Sequence, residues 1–391
     1  MHSNKKKCPK VAFILNIPTS YVLPLLVRLC NDQRWNLHVY FCGVSHADRF
    51  WNLNIDHPQM HVLSGIATRP RGSQWFTNHF NLGIAREILK HNFDVVVVGG
   101  YAVFTFQIAM ALAKIKKVPY VINTETHTHT SSKGWILHKL KQRIRYKICH
   151  GAAAFLVTGS RVSNYLGFLG IPEARHFVFP NTCDVKWFAK QSEKARREAD
   201  AIRKKFSIDT QYIILCVGRL VKVKNLNTLI DAFSLLPTGL LEKTSLVFVG
   251  EGSDRHELEE KKEVLKLRNV KFLGHQEGTN LASLYGIANI FVLLSTFEPW
   301  GVVVNEAAAC GLPLILSRDV GAADDLLEDG RNGFLVDPLE QTQVSKHIAY
   351  ILSDEMLAKK MGERSHRIVE DWTYKRCYDG FEQMLRYLGK L

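Results

Sequence analysis

The chain has 391 residues, of which 46% are hydrophobic and 23% are charged. This ordinary globular balance supplies material for sizeable cores, and the length favours two domains over one. No apolar run reaches the roughly 20 residues that a membrane-spanning helix needs. Eight scattered cysteines without a C-x-x-C pair indicate reduced thiols. The short apolar stretch after the basic N-terminus is typical of a first strand and not of a signal peptide, so we expect a cytoplasmic protein.

The net charge of +14 is confined to the first half of the chain. Residues 1–185 carry 22 Lys and Arg against 8 Asp and Glu, which accounts for the whole excess. Such a field favours anionic partners, namely a phospholipid surface, a lipid pyrophosphate or a nucleic acid. A nucleic-acid-binding protein would also need aromatic stacking platforms or a recognised reader motif, and neither is present in the sequence.

Strand patterns alternate with helical ones almost throughout, which predicts an α/β protein with parallel sheets. The first predicted unit is strand Val11–Asn16, helix Tyr21–Cys30 and strand Leu37–Phe41. No G-x-G-x-x-G follows this first strand, which argues against a dinucleotide-dependent dehydrogenase. The further strands predicted in the first half are Asp94–Val98, Pro119–Asn123, Ala154–Thr158 and His176–Phe179.

A polar cluster, residues 124–130, leaves the predicted strand Pro119–Asn123 at its carboxyl end, where open parallel sheets gather their ligands. His127 and His129 form an H-x-H pair, but without a third ligand this is a weak metal signal, and we expect no metal. Downstream, Lys133–Lys147 interleaves basic and apolar residues at helical spacing. This stretch is either a membrane-surface helix or an ordinary helix with a solvated basic face.

The turn Pro180-Asn181-Thr182-Cys183-Asp184 predicts a domain boundary, followed by a linker to about Lys190. The second half opens with helix Ser192–Phe206 and strand Tyr212–Val217. Arg219 and Lys224 then lie in a strand-to-helix loop, where fixed cations and helix N–H groups can together hold a diphosphate. The later predicted strands are Ser245–Val249, Val270–Leu273, Asn289–Leu294 and Leu312–Leu316, and the later helices are Leu226–Leu235, Val302–Ala309, Leu339–Ser353, Glu355–Glu370 and Tyr374–Leu388.

The most informative stretch is STFEPWGVVVNEAAACGLPLILSRD, which starts at Ser295. Glu298 precedes the predicted helix Val302–Ala309, and Glu306 lies inside it, eight positions later. Their carboxylates are expected to project toward the space above the strand ends, with the helix N-terminus between them. Gly301 would let the backbone approach a ligand closely. Taken alone, two such carboxylates are more typical of one capping glutamate and one solvated glutamate than of a ligand site.

The full string E-P-W-G-x-x-x-x-E-A-x-A-C-G-L-P resembles the donor-site signature of the retaining GT-B glycosyltransferases of family 4, the glycosyl transferases group 1. The match joins the carboxylate spacing to the small residues Ala307 to Ala309 and to the turn Gly311-Leu312-Pro313. The segment at Pro180 resembles the inter-domain P-N-G-x-D of that family, with Thr182 in place of the usual glycine. The resemblance covers nearly the whole chain and is strongest over residues 210–340.

This resemblance implies two doubly wound, Rossmann-like domains facing a cleft. They would be an acceptor domain over residues 1–185, a nucleotide-sugar domain over 190–372, and a last helix over 373–391 that crosses back onto the first domain. It also implies a retaining hexosyl transfer without a cofactor or metal. Glu306 would bind ribose hydroxyls and Glu298 a sugar hydroxyl. The other implied donor-site residues are Arg219 and Lys224 at the phosphates, Gly274 and His275 near the nucleobase, and Pro299, Trp300, Gly301 and Val302 in the motif itself.

In the first domain, the resemblance places either Glu125 or His127 against the reacting sugar, and the sequence does not choose between them. The predicted partners are a UDP- or GDP-linked sugar, a lipid-linked or polysaccharide acceptor, and an anionic membrane surface on the cytoplasmic face. Two other functions remain open, a catalytically idle sugar-nucleotide-binding scaffold and a basic nucleic-acid-binding protein. The presence of Arg219, Lys224, Glu298 and Glu306 together favours the enzyme.

Overall fold

The computed structural model describes residues 8–44, 55–68, 77–125 and 135–391. It divides into two compact units: the first comprises Met1–Pro180 with Tyr374–Leu391, and the second Asn181–Thr373. Each unit has its own parallel sheet. No helix of the described ranges combines the length and the apolar character that crossing a membrane requires.

The first unit is built on a parallel sheet which, over the described residues, has seven strands in the order β3-β2-β1-β6-β7-β8-β9. A separate antiparallel hairpin, β4–β5, follows β3. The strands are β1 (Lys10–Leu15), β2 (Asn36–Phe41), β3 (Met60–Val62), β4 (Ile66–Thr68), β5 (Asn78–Phe80), β6 (Val95–Val98), β7 (Tyr120–Thr124), β8 (Ala154–Val157) and β9 (His176–Val178).

Helices cover both faces of this sheet. Alternate residues of each strand point to opposite faces and pack into two separate cores. Ala12 and Ile14 of β1 pack into one core, whereas Val11 and Phe13 pack into the other. Strands buried on both faces are typical of doubly wound sheets. The helices described before the unit boundary are α1 (Leu23–Cys30), α2 (Gly83–Lys90), α3 (Phe104–Ile115), α4 (Trp135–Gly151) and α5 (Ser160–Phe168).

The second unit has a six-stranded parallel sheet in the order β12-β11-β10-β13-β14-β15. Its strands are β10 (Tyr212–Val217), β11 (Thr244–Val249), β12 (Val270–Phe272), β13 (Ile290–Leu293), β14 (Leu314–Ser317) and β15 (Gly333–Val336). Its helices are α6 (Val185–Arg197), α7 (Ala199–Lys205), α8 (Leu226–Ser234), α9 (Thr238–Leu241), α10 (Arg255–Val264), α11 (Gly278–Ile287), α12 (Val302–Ala309), α13 (Ala323–Leu326), α14 (Gln341–Leu352) and α15 (Glu355–Val369). The predicted fold class, two Rossmann-like α/β domains, is confirmed.

The last helix, α16 (Tyr374–Tyr387), packs in the first unit although it follows the second in the chain. The ring of Phe381 stacks on Phe13 of β1, with 6.5 Å between centroids, and meets Trp35 edge-on at 5.1 Å. A Cβ added to Gly380 would lie 1.9 Å from the carbonyl oxygen of Val178, so only glycine lets the helix approach β9 this closely.

The segment between the units differs from the predicted linker. Helix α6 begins at Val185 and not at Ser192, because Asp184 caps it by accepting a 3.1 Å hydrogen bond from the backbone N–H of Trp187. The residues expected as a linker after Asp184 are therefore helical and belong to the second unit. The single predicted helix Ser192–Phe206 is in fact two helices, which meet at Glu198.

Candidate donor site

The predicted donor-site residues lie on loops at the carboxyl edge of the second sheet. The loops after β10 and β13 carry most of them, and these strands are neighbours at the point where the strand order reverses direction. In open α/β sheets this reversal leaves a crevice between the loops, where ligands bind. The loops after β11, β12 and β14 border the same edge.

Lys224 occupies the end of a 3-10 turn, Lys222–Lys224, in the loop after β10. Its ammonium group forms an ion pair with the Glu298 carboxylate. Lys224 is 7% exposed and Glu298 is 9% exposed, so the pair is largely removed from water. Asn225 adopts a left-handed conformation (φ 53°) next to Lys224 and opens helix α8, which fixes the direction of the turn.

Backbone hydrogen bonds hold the Glu298 loop on both sides. The N–H of Thr296 donates to the carbonyl of Val223 at 2.8 Å, which ties this loop to the Lys224 turn. The N–H of Glu298 donates to the carbonyl of Asp319 at 3.1 Å, and Gly321 donates back to the carbonyl of Glu298 at 2.9 Å. The position of the carboxylate is therefore set by three loops together.

Arg219 lies half-buried at the start of the same loop as Lys224, directly after Gly218. The neighbouring backbone is closely packed, since a Cβ on Gly250 would lie 1.9 Å from the carbonyl oxygen of Gly218. The N–H of Leu220 donates to the carbonyl of Glu251 at 2.9 Å and joins this loop to the one after β11. The structure thus brings both predicted phosphate-binding cations, Arg219 and Lys224, to one loop.

Helix α12 begins at the predicted residue, Val302, with Gly301 at its N-cap in a left-handed conformation (φ 95°). The half-buried Pro299 precedes Trp300 in the same loop. The Trp300 ring is buried, and its N–H donates to the Asn305 side-chain oxygen at 2.9 Å. The Trp300 side chain thus packs inside the unit, and only its backbone remains at the loop.

Glu306 lies in the second turn of α12 and has a different partner from Glu298. The Tyr285 hydroxyl of α11 donates to the Glu306 carboxylate at 2.8 Å. Burial of this carboxyl raises the pKa of Glu306 to about 7, although the Tyr285 hydrogen bond lowers it in part. A carboxyl with a raised pKa at a loop-lined crevice is typical of functional sites.

The loop after β12 places Gly274 and His275 at the edge of this region. Gly274 has a left-handed conformation (φ 68°), and its carbonyl accepts a 2.8 Å hydrogen bond from the N–H of Gly250. His275 is exposed and lies 3.7 Å from the Glu277 carboxylate. Sequence reasoning missed a neighbouring ion pair, Glu251–Arg255 at 2.5 Å; the E-x-x-x-R spacing at the start of α10 was its only signal.

The candidates of the first unit are described less completely. Glu125 directly follows β7, at the carboxyl edge of the first sheet. His127 and His129 lie outside the described residues. Within the described ranges, no group of three or more His, Cys, Asp or Glu side chains could hold a metal ion.

Two family models match the chain, one in each half. The model described as Glycosyltransferase Family 4 matches residues 21–187, and the model described as Glycosyl transferases group 1 matches residues 198–367. The N-acetyl-alpha-D-glucosaminyl L-malate synthase of Bacillus anthracis is 30% identical over 204 residues, 51% of this chain and 52% of that protein. Sulfoquinovosyl transferase SQD2 of Arabidopsis thaliana is 27% identical over 301 residues, 74% of this chain and 56% of that protein. The chain thus spans about half the length of these relatives.

Solved structures share the fold over nearly the full length. Anabaena Alr3699/HepE, in a complex with UDP, has a TM-score of 0.73 at 18% identity, covering 96% of this chain and 99% of that one. At this identity the likeness shows the fold alone. Together with the two family models, it makes this chain a group 1 glycosyltransferase of the GT-B fold.

Proposed function

We propose that this protein is a retaining hexosyltransferase that moves a hexose from a UDP- or GDP-linked donor to an acceptor hydroxyl. The single observation that carries the proposal is the buried ion pair between Lys224 and Glu298 at the reversal point of the second sheet. Burying two charges costs several kcal/mol per ion in real proteins, so such a pair adds little to the free energy of unfolding. Its presence is better explained by a role in ligand binding. A ligand that carries both a diphosphate and hydroxyl groups would use both members.

The chemistry follows from the charges around this edge. As the bond from the sugar C1 to the phosphate oxygen breaks, the electron pair stays on that oxygen and the leaving diphosphate becomes more negative. Lys224, Arg219 and the positive end of α12 would stabilise this charge. Two fixed cations can take the place of a magnesium ion at a diphosphate. We therefore infer that the transfer requires no metal.

Retention of configuration would follow from attack on the same face that the leaving group departs from. The acceptor oxygen forms its bond to C1, and its proton passes to the departing phosphate oxygen, so that no enzyme nucleophile is needed. Glu298 would hold a sugar hydroxyl, and Glu306 the ribose hydroxyls. A hydrogen bond to a charged group contributes roughly 1.5–3 kcal/mol, so Glu306→Ala should weaken donor binding by at least tenfold.

The acceptor is proposed to be a lipid-linked or polysaccharide glycan reached from an anionic membrane surface. The excess positive charge of residues 1–185 supports this, because anionic lipids attract clustered Lys and Arg. The UDP complex of the Anabaena protein supports a uridine nucleotide as the first donor to test.

The test is a panel of UDP- and GDP-hexoses, with donor hydrolysis and transfer measured with and without EDTA. We expect activity to survive chelation, and the product to keep the anomeric configuration of the donor by NMR. Lys224→Ala should lower the rate by orders of magnitude, whereas Lys222→Ala, an exposed lysine of the same turn, should not. Nucleotide-sugar binding without any turnover would instead identify an idle scaffold. Loss on chelation that manganese or magnesium restores would overturn the metal-free mechanism.

A further inference from the structure

Lys224 and Glu298 are assigned to different parts of the donor, yet they form an ion pair with each other. Each is held in place by its own backbone: Lys224 N–H donates to the carbonyl of Val221 at 2.8 Å, and Glu298 N–H donates to Asp319 at 3.1 Å. The ammonium and the carboxylate therefore meet without any adjustment of the loops. In this pair each residue neutralises the charge of the other.

Two glycines shape the space around this ion pair. A Cβ on Gly218 would lie 3.4 Å from Cε and 3.6 Å from Nζ of Lys224. A Cβ on Gly301 would lie 3.2 Å from Cγ of Glu298. Both side chains thus run against the backbone at these glycines, which restricts their movement toward that side. A diphosphate that binds the ammonium in this position meets it next to the Glu298 carboxylate.

We propose that Glu298 and the donor diphosphate compete for the ammonium group of Lys224, so that Glu298 promotes release of the nucleoside diphosphate product. The proposal rests on the function proposed above. While the donor is intact, a sugar hydroxyl occupies Glu298 and Lys224 is available to the phosphates. After transfer the sugar no longer occupies Glu298. The Glu298 carboxylate then pairs with the Lys224 ammonium again, and its negative charge repels the diphosphate.

The competition makes a prediction that a sugar-binding role alone does not make. UDP and GDP carry no sugar, so a carboxylate that only binds sugar hydroxyls would leave their affinity unchanged. Competition for Lys224 predicts that Glu298→Gln binds UDP or GDP about tenfold more tightly, because the amide keeps the shape but neither repels the phosphates nor neutralises the lysine. Release of the product should slow accordingly, so product inhibition should strengthen.

A second variant separates capture of the ammonium from simple charge repulsion. Glu298→Asp keeps the negative charge but withdraws it from Lys224 by one methylene, and it avoids leaving a buried lysine without an anion. We expect it to bind UDP or GDP roughly threefold more tightly than the parent, whereas repulsion alone predicts no gain. Glu263→Gln, which removes an exposed carboxylate from α10 of the same unit, is the matched control and should bind as the parent does.

The experiment is calorimetric titration of the parent and the three variants with UDP and with GDP, after thermal unfolding has established that each is folded. Tighter binding by both Glu298 variants, but not by Glu263→Gln, supports the competition. Unchanged or weaker binding by Glu298→Asp overturns it, whatever Glu298→Gln does, and leaves the transferase assignment intact. A parent that binds neither nucleotide overturns the proposed function together with this inference.

Discussion

The hydroxyl of Tyr285 and the carboxylate of Glu306 form a 2.8 Å hydrogen bond between helices α11 and α12. Tyr285 is fully buried, and its own pKa is raised by burial and by the neighbouring carboxylate. Burial raises the pKa of Glu306 to about 7, and the Tyr285 hydrogen bond opposes this rise in part. Burial therefore favours the protonated form of Glu306, whereas the Tyr285 hydroxyl favours the ionised form.

The raised pKa predicts that Glu306 lowers the free energy of unfolding by an amount that depends on pH. The folded protein binds more protons at this carboxyl than the unfolded chain between pH 4.5 and about 7, so stability falls as pH rises through that window. Glu306→Gln keeps an acceptor for Tyr285 and removes the cost. Thermal unfolding should show the variant more stable than the parent at pH 8, on the order of 3 kcal/mol, and equal to it near pH 4. The exposed Glu263→Gln serves as control; equal stabilities at pH 8 would contradict the burial argument.

Gly250 should tolerate no side chain, because a Cβ there would lie 1.9 Å from the carbonyl oxygen of Gly218 and its φ is +140°. Gly250→Ala forces apart the loops after β10 and β11, and we expect it to destabilise the protein by at least about 2 kcal/mol. The matched control is Gly239→Ala in α9, where a Cβ would have no atom within 4 Å. That change should be neutral or stabilising by up to about 1 kcal/mol. Similar melting temperatures of Gly250→Ala and Gly239→Ala would contradict this, because the loops after β10 and β11 would then accommodate the added methyl group without strain.

The sequence predicted those helices and strands whose bounds are specified by nearby residues. Strand β10 has the predicted bounds because it is a short, buried apolar run. Helix α12 has them because Gly301 precedes its first residue and Gly311 follows its end. The hairpin β4–β5 was missed, since its three-residue strands are partly exposed and carry no clear alternation. The early start of α6 was missed because the N-cap Asp184 stood in a segment interpreted as a turn.

The Lys224–Glu298 contact was beyond sequence reasoning for a different reason. Each residue could be assigned to the donor from its own motif, but their contact joins positions 74 apart and depends on the pairing of β10 with β13. Thr182, which stands where the resembling family has glycine, illustrates the same limit. Its hydroxyl donates to the carbonyl of Trp372 and accepts from the Asn305 side chain at 3.4 Å. A departure from a motif can thus add a contact that only the fold shows.

Three imidazoles of the first unit lie close together beside one cation. The ring of His38 is 6.0 Å from that of His61 and 6.3 Å from that of His91, and Lys10 Nζ lies 3.3 Å from Nδ1 of His91. Burial, with the charge of Lys10 and the neighbouring histidines, lowers the pKa of His38 to about 4, while the Glu87 carboxylate opposes this. Between pH 6.5 and about 4, His38 is protonated in the unfolded chain but not in the folded protein. The free energy of unfolding therefore decreases as the pH falls through this range.

His38→Gln should reduce this acid sensitivity. We expect the difference in melting temperature between pH 7 and pH 4.5 to be smaller than in the parent, while the value at pH 7 changes little. His256→Gln on α10 removes a side chain that is 86% exposed and should leave the pH profile as it was. If both variants follow the parent profile, acid unfolding begins elsewhere in the protein.

The final prediction concerns helix α4 at a membrane surface. Arg143 and Lys147 are exposed and lie four positions apart, hence on one face of the helix, beside Ile144 and Tyr146, which are 47% and 52% exposed. Arg145 differs from them, because its guanidinium donates to the Tyr165 hydroxyl at 2.6 Å within the unit. Substitutions should therefore spare Arg145, so that a loss of binding is not a loss of packing.

Liposome flotation with and without anionic lipid tests this face. A basic residue near such a surface contributes about 1 kcal/mol, so Arg143→Gln with Lys147→Gln should weaken binding by roughly thirtyfold. Lys359→Gln with Lys360→Gln removes two exposed charges from α15 of the second unit and should bind as the parent does. Binding should also fall as salt rises, because exposed charges act over a Debye length of about 10 Å at 0.1 M. Equal flotation on neutral and anionic liposomes would mean that the charges of α4 do not contribute to membrane binding. No flotation even at low salt would mean that α4 is an ordinary solvated helix and that the acceptor is reached in solution.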